Sequence, residues 1–188
     1  NSNDINNKAS ISPGFRTASN STHTYVTGWV GKWVLVWQWW DSQLVYEFRL
    51  DGFINKVDPG GAVVWTKYLS EITGDSSGGW GINDIAVEGN ELYVCGTRLE
   101  NRAFVAKLTD TGTSLVCDDY THIEGLKGTG VTNAWATARS IAISTVNGAR
   151  QVVVGGEIQG ASMQVLEKVK TTTPSARFTR MVLRSHNT

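Results

Sequence analysis

Few residues in this chain have both the type and the spacing for chemistry. The three histidines, His23, His122 and His186, stand far apart, and the two cysteines, Cys95 and Cys117, form no C-x-x-C pair. Without paired His or Cys spacing, zinc ligation has no motif to rest on, and no nucleophilic triad is legible. Asp118-Asp119, or Asp75 beside Ser76 and Ser77, could supply the paired carboxylates of a glycosidase or oxygen ligands for calcium. No calcium-loop pattern surrounds them, so they read as turn and strand-end aspartates. The sequence therefore assigns no catalytic residue, no metal and no cofactor. Asn20-Ser21-Thr22 is an N-x-[ST] acceptor in a polar stretch, which makes Asn20 a glycosylation candidate.

The most unusual residues are tryptophans. "WVGKWVLVWQWW" places Trp29, Trp33, Trp37, Trp39 and Trp40, out of eight in the chain, within one short stretch. A helical face would collect Trp29, Trp33, Trp37 and Trp40, whereas a strand would put Trp33, Leu35, Trp37 and Trp39 on one side. The Val/Trp content and Gly31 favour the strand. Its rings either fill a core between sheets or form an exposed platform, stacking on sugars or anchoring a neighbouring subunit. Trp33, Trp37, Trp39 and Trp40 are the candidate binding residues.

The elements that position these residues come from a repeat. "FINKVDPGGAVVW" at 53–65 returns as "FVAKLTDTGTSLV" at 104–116, sharing Phe53/Phe104, Lys56/Lys107 and Gly61/Gly112. Each copy is two β-rich runs around a turn, the pattern of a hairpin. "VLEKVKTTTPSAR" at 165–177 is a weaker third copy. Ahead of these lie "DIAVEGNELYVCG" at 84–96 and "SIAISTVNGARQVVVGG" at 140–156, with "TYVTG" at 24–28 as an isolated second half. In order, they predict strands over 84–88, 91–96, 103–109 and 114–120, then over 139–144, 150–156, 163–170 and 175–183. Tyr93 is matched to Val152, and the unit is about 50–60 residues of four strands, the period of a β-propeller blade. The fold class predicted is all-β, with four-stranded antiparallel blades of a propeller or an open propeller-like array, incomplete within this chain.

The segments "IAVEGNELYVCGT" and "AFVAKLTDTGTSLV" resemble the SBBP-type β-propeller repeats of secreted and surface proteins. The resemblance covers roughly residues 53–183 and implies a scaffold or binding role with no particular ligand. This chain departs from the pattern in the third copy, which lacks the turn glycine, at Cys95, and in the longer region 29–52. The organisation expected is a polar N-terminal segment at 1–21, a partial blade with the Trp-rich insertion at 22–69, a blade at 70–120, and a blade with a long lead-in loop at 121–188.

Two blades and most of a third do not close a ring, which needs at least four. A longer chain, or other subunits, are thus the expected partners, covering the end sheets of the array; a glycan is the other candidate. The terminal "ARFTRMVL" mixes Arg177 and Arg180 with Phe178, Met181 and Leu183, as suits a strand with one covered and one wet face. Lys+Arg and Asp+Glu are both 17, so no basic field exists for nucleic acid or an anionic bilayer. The most apolar stretch is broken by Gly31, Lys32 and Gln38, so no membrane insertion is expected. Cys95 and Cys117, two strands apart in one sheet, lie beyond disulfide reach and are predicted unbonded.

The function expected is a noncatalytic structural, adhesive or binding module, extracellular or at the cell surface. The alternative is a fragment of a polysaccharide-acting propeller enzyme or a lectin. Carboxylates converging at one end of the blades would favour the enzyme.

Overall fold

The computed structural model describes residues 10–11, 16–74, 79, 81–98, 102–123, 135–146, 149–158 and 180–185. It is all-β apart from one helical turn. In chain order the elements are β1 (Ser10–Ile11), β2 (Arg16–Ser19), β3 (Thr24–Gln38), β4 (Gln43–Val57), β5 (Val63–Tyr68), α1 (Leu69–Thr73), β6 (Gly81–Glu88), β7 (Glu91–Arg98), β8 (Arg102–Asp110), β9 (Leu115–Ile123), β10 (Ala136–Val146), β11 (Ala149–Ile158) and β12 (Arg180–Ser185). They form three sheets. The first runs β1-β3-β4-β5 with β2 also on β3, the second β6-β7-β8-β9, and the third β10-β11-β12.

The middle sheet is the antiparallel four-stranded sheet that the recurring strand–turn–strand runs predict, and it is covered on both faces. On β7, Leu92 and Val94 point to the first sheet, where they meet Tyr25, Ile54 and Leu69. Tyr93 and Cys95, one residue out of phase, point to the third sheet and meet Ala138, Ile141 and Val154. Period-two geometry thus explains why "LYVC" is apolar at every position: each neighbour serves a different interface.

The repeat is real in register. Tyr25 pairs with Lys56 and Gly28 with Phe53, as Tyr93 pairs with Lys107 and Gly96 with Phe104. Both hairpins carry a bulge directly after the shared lysine, at Lys56/Val57 and Lys107/Leu108. Both turn glycines, Gly61 and Gly112, hold positive φ, the region where a Cβ is penalised.

The structure corrects three details. Ala86 pairs with Tyr93 and Ala142 with Val153, so the match to Tyr93 is Val153 rather than Val152. The same pairing recurs as Ala18 with Tyr25, making Arg16–Ser19 the first strand of the first unit although it lies in the stretch read as a polar N-terminal segment. In the third sheet β12 runs parallel to β11, whereas a meander would place its fourth strand two places away. A parallel pair needs a long crossover; residues 159–179, which hold the strand expected at 163–170, lie outside the described residues. So do Arg177 and Phe178.

Candidate functional site

β3 and β4 are each much longer than the sheet they belong to. Their pairing continues without a break from Thr24↔Val57 to Gln38↔Gln43, while β2 and β5 accompany only the base, at 24–27 and 53–57. β1 pairs with Val30 and Gly31, and beyond these a two-stranded ribbon projects. The Val- and Trp-rich run from Trp29 to Gln38 is β-strand, as its composition predicts.

Cross-strand register assembles one face of this ribbon from three rows: Trp33 opposite Phe48, Leu35 opposite Tyr46, and Trp37 opposite Leu44. All six side chains are exposed, from 44% for Phe48 to 57% for Trp37. Trp33 and Phe48 meet edge to face with ring centroids 5.3 Å apart, a favoured aromatic geometry. Phe48 also covers Gly31, where a Cβ would lie 2.1 Å from the ring. On the opposite face Arg49 Nη2 bonds Glu47 at 2.8 Å.

At the tip, Trp39 and Trp40 lie in the turn 39–42, with Trp39 77% exposed. Trp39 therefore does not continue the strand face of Trp33, Leu35 and Trp37. The tip rings pack against each other at 5.8 Å. Leu44, Tyr46 and Phe48 were not among the sequence candidates, although their period-two spacing in "LVYEF" carries the signal.

A second feature sits where turns of the first two sheets meet. Asn20, His23, Tyr25, Lys56, Asn90 and Asp110 help line a cavity of about 320 Å³. Lys56 Nζ bonds Asp110 at 2.7 Å, the Tyr25 hydroxyl donates to the same carboxylate at 2.6 Å, and the Gly112 amide donates to its other oxygen at 2.7 Å. Burial pushes the Asp110 carboxyl up, but Lys56, Tyr25 and the Gly112 amide outweigh it and hold the group below the ordinary aspartate range. Burial, then Asp110, drives the Tyr25 phenol well above its usual value. Trp65 Nε1 donates to the Gly112 carbonyl at 3.3 Å. Asp110 is the single carboxylate lining this cavity among the described residues; Lys56 and Tyr25 clamp it from the first sheet, and the Gly112 amide fixes it within its own turn.

The remaining candidates are dispersed. Asn20 Nδ2 donates to the Gly89 carbonyl at 2.7 Å, tying the first sheet to the second, while its Oδ1 accepts from the backbone of Thr22 and His23. Asp118 accepts from Thr109 at 2.6 Å and lies 3.8 Å from Lys107. His23 sits in the β2–β3 turn beside Thr22; His122 is on β9, 3.1 Å from Arg98 Nη1. Asp75 and His186 lie outside the described residues. Among those described, no three His, Cys, Asp or Glu side chains gather to hold a metal.

Cys95 and Cys117 are both free thiols. Cys95 belongs to the core facing the third sheet and Cys117 packs on the core facing the first, so opposite faces separate them as well as strand spacing. No family model, curated protein or solved structure matches the chain.

Proposed function

We propose that this chain is a noncatalytic structural or adhesive module of an extracellular or cell-surface assembly, built from propeller-type repeats and making its outside contacts through the Trp33–Trp40 ribbon. The observation that carries this reading is the exposed apolar face of the ribbon. A two-stranded ribbon is marginal in water on its own, and three rows of large apolar side chains facing solvent mark an interaction site. The repeated register of the first two sheets supports the blade reading, as does the stacking of all three. The third sheet's exposed Ser140 and Ala142 occupy the places of Asp84 and Ala86, whose face the third sheet covers, so a further sheet would continue the stack.

The enzyme reading has less support. The end cavity brings together one carboxylate, and that group is held by Lys56, Tyr25 and a backbone amide rather than open to a substrate. Paired carboxylates at a spacing for glycoside hydrolysis would be needed there.

The test is direct. Replacing Trp37 and Trp39 together by Ala should weaken assembly or glycan binding by ~2 kcal/mol or more if they are contact hot spots, with circular dichroism unchanged because both rings are exposed. Turnover of a polysaccharide by the purified chain would defeat the noncatalytic reading.

A further inference from the structure

We propose, building on that contact role, that the ribbon face formed by Trp33, Leu35, Trp37, Leu44, Tyr46 and Phe48 packs against the same face of a second copy of this chain. Area is the first reason. Six large side chains, each about half exposed, leave on the order of 600 Å² of apolar surface on one side of the ribbon. That is at the top of what a monomer ordinarily leaves open, about 300–600 Å². Two such faces packed together would bury on the order of 1,200 Å² in total, the lower end of the range for a specific, stable interface.

The backbone argues against lipid as the occupant. Along Lys32–Gln38 and Gln43–Arg49 the two strands pair only with each other among the described residues. Sinking such a ribbon into hydrocarbon would strand its outward N–H and C=O groups, whereas face-to-face packing of two ribbons leaves both edges in water. Sugar stacking is disfavoured by composition: Leu35 and Leu44 interrupt the rings, and Tyr46 supplies the one hydroxyl of the face.

Symmetry fits the rows. A two-fold axis through the Leu35–Tyr46 row sets the Trp33–Phe48 row of one copy against the Trp37–Leu44 row of the other, so two bulky rings face one ring and a leucine. Zero net charge adds no long-range repulsion between copies.

Sedimentation equilibrium of the full chain tests this. A concentration-dependent dimer is expected, no weaker at about 1 M salt than at about 0.15 M, because apolar burial is not screened. Leu35→Glu and, separately, Tyr46→Lys should each weaken it by about 100-fold or more. Val63→Lys, exposed on β5 away from the ribbon, should leave it intact. A monomer at about 200 μM, a concentration at which even a dimer of micromolar affinity is mostly assembled, overturns the proposal, as does a dimer that survives both ribbon variants. A monomer that floats with phosphatidylcholine vesicles or binds a neutral polysaccharide also overturns it, while keeping the ribbon as a contact surface. A ribbon-dependent dimer that hydrolyses polysaccharide would instead remove the noncatalytic reading and leave the dimer standing.

Discussion

Lys56 and Asp110 meet across two sheets, ammonium and carboxylate 2.7 Å apart with side chains only 6% and 4% exposed. Lysine at this place recurs as Lys107, which instead pairs with Glu91 at 2.6 Å in its own sheet. One repeated residue thus clamps two sheets in one copy and braces a single sheet in the next. Arg150 of the third sheet completes the second arrangement, bonding Glu88 at 2.8 Å and reaching Glu91 as well.

Removing one partner of the buried pair should be costly, because the other is left as an uncompensated charge. Asp110→Asn is expected to destabilise the fold by about 3–5 kcal/mol, read as a shift in the denaturant midpoint. Adding Lys56→Met to that variant should restore much of the loss. A single variant within ~0.5 kcal/mol of the parent, the scale of an ordinary surface change, would show that the pair carries no such weight.

Acid should weaken the protein through the same carboxylates. Burial raises both groups, but Lys56, Tyr25 and the Gly112 amide pull Asp110 below its ordinary value, and Lys107 and Arg150 do the same for Glu91. A depressed folded-state pKa adds stability that is fully present above the unfolded values of about 4 and is lost as pH falls through the lower folded values. Melting temperature should therefore hold steady from neutral pH to about pH 5 and then fall. Asp110→Asn, though less stable at neutral pH, should show a shallower acid limb; an unchanged slope would contradict the assignment.

Two glycines should respond differently to alanine. A Cβ on Gly96 would lie 1.9 Å from the Gly81 carbonyl, next to an irregularity in β6 between Ile82 and Asp84, and backbone cannot swing aside. Gly96→Ala should cost ~2–3 kcal/mol or more. Gly112 has open space around its Cβ position but holds φ +96, so Gly112→Ala should cost only the ~1–2 kcal/mol of left-handed strain. Equal losses in thermal melts would show that one of these two causes is misjudged.

The thiols should be quiet in the native state. Burial, then Asp84, pushes Cys95 up; burial, then Asp118 and Asp119, pushes Cys117 up to about 11. Little thiolate exists at pH 8 in either case. Iodoacetamide should label both fully only after denaturation, half-buried Cys117 leading Cys95 under native conditions. Intact mass without reductant should show two free thiols, and a two-hydrogen deficit would require a different strand order.

What could be read from the chain alone was local. Repeated β-rich runs around turn-forming segments in 84–120 placed all four strands of the middle sheet within a few residues, and Gly61 and Gly112 marked the two matching hairpin turns, because strand-favouring composition and positive φ are written into neighbouring residue types. The strand character of the Trp-rich run was legible for the same reason. Whether its rings are covered was not, since alternation says which residues share a face and nothing about what lies opposite. Only the register of β4 brought Leu44, Tyr46 and Phe48 beside Trp37, Leu35 and Trp33, and only the sheet stack left that face open. Arg16–Ser19 was hidden because a short polar strand carries no hydrophobic period; its pairing with Thr24–Thr27 identified it. The Lys56–Asp110 clamp was decided last of all, by two sheets coming together so that a repeated lysine and a turn aspartate far apart in sequence share one buried space.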